Sequence, residues 1–76
     1  MIKIGDRVKF KDELWKQKKI IALGGGLFGK PLSPDAENIF VVNAVNNQET
    51  KDDPDFELGL DNYPWLVYFD EMEKIK

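Results

Sequence analysis

The chain has 76 residues, no cysteine and no histidine, which excludes disulfides, thiol nucleophiles and Cys- or His-based metal sites and removes the commonest general base. Its formal net charge of −3 is unevenly placed: residues 1–30 hold eight Lys/Arg against three Asp/Glu, and residues 31–76 hold eleven Asp/Glu against three Lys. The halves are thus +5 and −8, an asymmetry that points to a charged partner rather than to chemistry on a small molecule.

In chain order, residues 1–4 run into Gly5-Asp6 without an apolar targeting segment, so a cytoplasmic location is expected. Val8 and Phe10 then alternate with Arg7, Lys9 and Lys11, which predicts a half-buried strand. Residues 18–23 read as a second strand, stopped by Gly24-Gly25-Gly26. Residues 39–45 form the third, with Phe40, Val42 and Ala44 inward because the other face carries Asn43. Residues 65–69 form the fourth, apolar on both faces and therefore central, with Trp65, Val67 and Phe69 opposite Leu66 and Tyr68. This run is also the longest apolar stretch and is far short of a membrane span. Residues 70–75 close the chain as one helical turn and a short strand. Two connections, 24–38 and 46–64, are long for a domain of this size, and long connections commonly carry function.

Residues 4–10 (Ile-Gly-Asp-Arg-Val-Lys-Phe), the turn after them and Lys18-Lys19-Ile20-Ile21 resemble the opening of SH3-like small barrels, including KOW-type domains. Residues 67–75 are similar to the last strand, helical turn and closing strand of those barrels. The middle departs from the pattern: Gln17-Lys18-Lys19 lacks the glycine that KOW motifs hold before the second strand. The resemblance implies a single all-β domain over residues 1–76, a small five-stranded SH3-like barrel with two long loops. It implies no one function, since such barrels bind diverse ligands.

Motifs for chemistry fail on inspection. Residues 24–30 match Gly-x4-Gly-Lys, but Pro31 stands where a phosphate loop needs Ser or Thr for magnesium. From Asp53 the one-three-five spacing of a calcium loop is met by Asp55 and Glu57, yet the glycine comes late, at Gly59, and Pro64 holds the twelfth place. Apart from tyrosine, Ser33 and Thr50 are the only hydroxyl nucleophiles, with no base in a recognisable pattern, so no catalysis, metal or cofactor is expected.

Two surfaces remain. The acidic stretch interleaves carboxylates with Pro54 and apolar residues, and Asp52, Asp53, Asp55, Phe56, Glu57, Leu58, Asp61 and Tyr63 could dock on a basic protein surface, charge steering and apolar groups anchoring. The alternative is a nucleic-acid patch of Lys9, Lys11, Trp15, Lys16, Lys18 and Lys19, opposed by the overall acidity. The expected function is a non-catalytic protein-binding module, a small regulator or inhibitor of the phage or mobile-element type, with no membrane partner. So small a core also makes homo-oligomerisation or partner binding a natural source of added stability.

Overall fold

The alternation at the start of the chain becomes β1 (Arg7–Phe10) in the computed structural model, which describes residues 2–27, 29–47 and 56–75, backbone only at Asn47 and Phe56. Gly5 enters it through a turn at φ +94°, a region closed to most L-residues. Asp6 accepts the Lys3 N–H at 2.8 Å, and that bond, with the nearby Lys74 second to it, holds its carboxyl below the usual range. Val8 and Phe10 are fully buried, whereas Arg7 faces solvent.

After β1 the chain turns into a helix, α1 (Asp12–Leu23), and not into the strand expected over residues 18–23. Residues 12–19 are mostly straight-chain helix formers, and Asp12 and Glu13 place carboxylates at the positive N-terminal end. Trp15, Lys18, Lys19 and Ala22 recur at i, i+3, i+4 and i+7 and form the half-buried or buried stripe; Ile20 and Ile21 point out. The β-branched pair that suggests a strand is therefore the solvent face of a helix, and the glycine run ends a helix instead.

β2 (Phe40–Asn47) lies antiparallel to β1, Val8 opposite Phe40 and Arg7 opposite Val41. Phe40 and Val42 face inward as expected, but Ala44 is exposed and Val45 packs toward the core. A bulge explains the change of phase: Val42 pairs with Leu60 and Ala44 with Gly59, leaving Asn43 as the extra residue.

The pairing partner, β3 (Phe56–Leu60), falls inside the connection expected over residues 46–64. Leu58 and Leu60 are buried core residues, so the apolar positions between the carboxylates mark an inward strand face. β4 is only Val67–Tyr68 and sits at the sheet edge, not its centre. A one-turn 3-10 helix (Phe69–Glu71) then leads into β5 (Met72–Lys74), matching the expected turn and closing strand.

The five strands form one antiparallel sheet in the order β4-β3-β2-β1-β5. The sheet is open, with no ladder between β4 and β5 among the described residues, so the expected closed barrel is not formed. Its inner face carries Val8, Phe10, Phe40, Val42, Leu58 and Val67, and α1 covers it with Trp15 and Ala22. Phe10, Trp15, Phe40 and Tyr63 make an aromatic cluster with centroid separations of 5.0 to 5.9 Å. Two polar contacts fasten the helix: Tyr63 Oη donates to the Lys18 carbonyl at 2.9 Å, and Lys18 Nζ pairs with the Glu71 carboxylate. Among the described residues no helix is long and apolar enough to cross a membrane.

Candidate protein-binding cleft

The connection from α1 to β2 is tied down at both ends. Leu32 is buried and its N–H donates to the Ala22 carbonyl at 2.9 Å. Asn38 extends the β1 ladder with its side chain: it accepts the Phe10 N–H and donates to the Phe10 carbonyl, both at 2.9 Å. The Asn amide thus satisfies an edge that β2 reaches only from Phe40 onward. Between these anchors, Ser33 makes a tight turn, its carbonyl accepting from Ala36 at 3.0 Å and its hydroxyl from Asp35 at 3.3 Å.

Across from it lies the β3–β4 turn. Asn62 adopts φ 65°, the left-handed region that Asn tolerates, and Tyr63 and Pro64 are buried. The Asp61 N–H donates to the Val41 carbonyl at 2.9 Å, and its carboxylate accepts the bulged Asn43 amide at 2.8 Å. Asn43 can reach there because its neighbour is Gly59: a Cβ on Gly59 would stand 2.6 Å from Asn43 Oδ1. Bulge and glycine together leave room for the amide over the strand and carry Asp61 to the rim.

The two connections enclose an open cleft of about 690 Å³. Gly29 to Ser33, Ala36, Glu37 and Ile39 form one wall, Asp61 to Tyr63 the other, and Phe40, Asn43 and Leu60 the base. Ile39 is 52% exposed on the wall, an apolar side chain without cover among the described residues. Lys30, Glu37 and Asp61 are the charged lining residues, so the rim carries one more negative charge than positive. Ser33 has no histidine to activate it, since the chain contains none. Burial, reinforced by the Glu71 charge, pushes the Tyr63 phenol up to about 12, so it does not exchange protons near neutral pH.

Of the expected docking residues, Asp61 and Tyr63 come together at this cleft, Asp61 on the rim and Tyr63 beneath it with its hydroxyl turned to α1. Leu58 is in the core and faces no partner. Glu57 is half-buried and pairs across the sheet with Tyr68. Phe56 lies on β3 by its backbone, and Asp52, Asp53 and Asp55 lie outside the described residues.

The lysine patch is largely committed within the chain. Lys9 sits 3.5 Å from Asp12 and 3.8 Å from Glu73, Lys18 pairs with Glu71, and the Lys19 ammonium lies 5.9 Å from the Trp15 ring centroid. Trp15 itself stacks on Phe10. Lys11 and Lys16 make no ion pair with a described residue. Among the described residues no cluster of three or more acidic side chains could hold a metal ion.

Sequence reasoning missed Glu37, Ile39 and Asn43. Ile39 did leave a signal: in an alternating strand with Phe40 and Val42 buried, it has no inward place. Comparison with models of known protein families, with curated proteins and with solved structures finds no match.

Proposed function

We propose that the chain is a non-catalytic protein-binding module, built on an SH3-like sheet, whose cleft takes an extended, basic segment of a partner protein. The observation that carries this reading is the meeting of the α1–β2 connection and the β3–β4 turn at one open cleft with exposed Ile39 and the carboxylates of Glu37 and Asp61. Two features support the SH3-like part. Residues 7–10 and 67–74, from the two segments that carry the resemblance, form β1 and the β4, 3-10 turn, β5 unit. The strand order is also a meander in which β5 returns to β1. The excess of acid in residues 31–76 would steer a basic partner to this half of the chain, an effect that weakens with salt.

The test is a titration of isotope-labelled protein with extended lysine- and arginine-bearing peptides, monitored by amide shifts. Binding is expected to move the amides of Ile39, Asn43 and Asp61 together, and Ile39→Asp with Glu37→Gln should weaken it about tenfold or more, as loss of a central anchor does. Replacing Asp52, Asp53, Asp55 and Glu57 by amides should slow association and flatten its salt dependence. Shifts confined to the α1 lysines with an oligonucleotide, and none at the cleft with any peptide, would transfer the function to the basic face.

A further inference from the structure

A second surface shares no residue with the cleft. The outward ridge of α1 begins with Glu13, Lys16 and Gln17 and ends with Ile20, Ile21 and Leu23, which are 62%, 47% and 40% exposed. Glu13, Lys16, Gln17, Ile20 and Ile21 border a shallow depression along it. A monomer gains nothing from an isoleucine pair turned to water at the end of α1.

We propose that a second copy of the chain covers this ridge, its α1 lying antiparallel to the first across a two-fold axis at Ile20. The occupant is argued from charge. α1 has no basic residue in its last turn, so the negative end of its dipole is without a cation of its own. With the axis at Ile20, Gln17 faces the other copy's Leu23, and Lys16 faces the other copy's Gly24, at that helix end. Lys16 makes no ion pair with a described residue and is free to serve there. Residues 14–34 contain no acid and four lysines; Lys18 is paired with Glu71 of its own copy, Lys19 is held over Trp15 and Lys30 lines the cleft, so Lys16 is the lysine that meets the other copy at the ridge. The depression beside Ile20 receives the other copy's isoleucine, each helix offering both knob and hole, as a two-fold interface requires. A chain of 76 residues without cysteine also has a small core for which added burial matters.

Sedimentation equilibrium from about 10 μM to about 1 mM should show the 8.8 kDa unit doubling in mass. Ile20→Lys should raise the dissociation constant at least tenfold while leaving the melting curve of the dilute monomer in place, because Ile20 is exposed there. The natural absence of cysteine permits a second measurement: mild oxidation of Ile20→Cys should trap a covalent dimer, whereas Glu13→Cys, off the axis, should not. A mass of 8.8 kDa at every concentration would overturn the proposal. So would a dimer that Ile20→Lys leaves intact, or one that Ile20→Cys traps no better than Glu13→Cys.

Discussion

The sheet and the helix are held by different physics. Every strand is joined to its neighbour on a ladder of main-chain bonds, and the sheet buries aliphatic and aromatic side chains in one continuous layer to which β5, paired with β1, adds Met72. α1 contributes one fully buried residue, Ala22, and one half-buried aromatic, Trp15. Its polar hold consists of single contacts: the Tyr63 hydroxyl on the Lys18 carbonyl, the Leu32 N–H on the Ala22 carbonyl, and Lys18 on Glu71. The sheet is thus the cooperative unit, and the helix is a cover whose detachment costs less than global unfolding.

The largest test of that contrast is Phe10→Ala. Phe10 is fully buried and touches Trp15, Phe40 and Tyr63, so its truncation should cost about 3–5 kcal/mol and lower the denaturant midpoint for every probe at once. Next is Gly59→Ala, which forces a Cβ against Asn43 Oδ1 and within 3.2 Å of Ala44 Cβ. A loss of about 1–3 kcal/mol is expected, partly recovered when Asn43→Ala is added. Full additivity in that cycle would show that the bulge does not depend on the glycine.

Tyr63→Phe removes the hydroxyl alone and should cost about 1 kcal/mol, appearing first as faster hydrogen exchange in α1. It also carries a pH signature. Because the folded phenol is raised from 10 to about 12, its contribution is complete below pH 10 and is lost as pH rises toward 12. Thermal melts of wild type and Tyr63→Phe across that window should therefore converge. The smallest effect belongs to Asp6→Asn. The native carboxyl titrates below 3.8, so the stability it lends is present above that pH and lost as pH falls through the lower folded value. The variant should be slightly less stable than wild type at neutral pH and match it where the carboxyl is protonated, so the acid limb of its stability is flatter.

How much of this is legible in the sequence differs between the same two regions. β1, β2, the helical turn and β5 follow from alternation and turn residues, because their burial is one-sided and local. α1 is hidden by Ile20-Ile21, apolar for a reason that is not the core; were the outward ridge polar, the stripe of Trp15, Lys18, Lys19 and Ala22 would read as a helix. β3 is hidden by charge: Glu57 and Asp61 flank Leu58 and Leu60, and alternation within an acidic stretch reads as a docking loop. At the cleft, residue type alone points to Asp61 and Tyr63, but their meeting with Ile39 and Glu37 depends on a bulge at Asn43 that nothing local announces.

The pairing of β5 with β1 has a consequence for how the molecule comes into being. Val8 finds its ladder neighbour in Lys74, and Phe10 in Met72, so one side of the first strand stays unsatisfied until residues 72–74 have been synthesised. Closing that contact carries the entropy of a loop as long as the domain itself, which places it late on the folding route. Before then the nascent chain exposes Val8 and Phe10 on an open strand edge. Arg7 and Lys9 on that strand give the unfinished chain its protection against association during the interval.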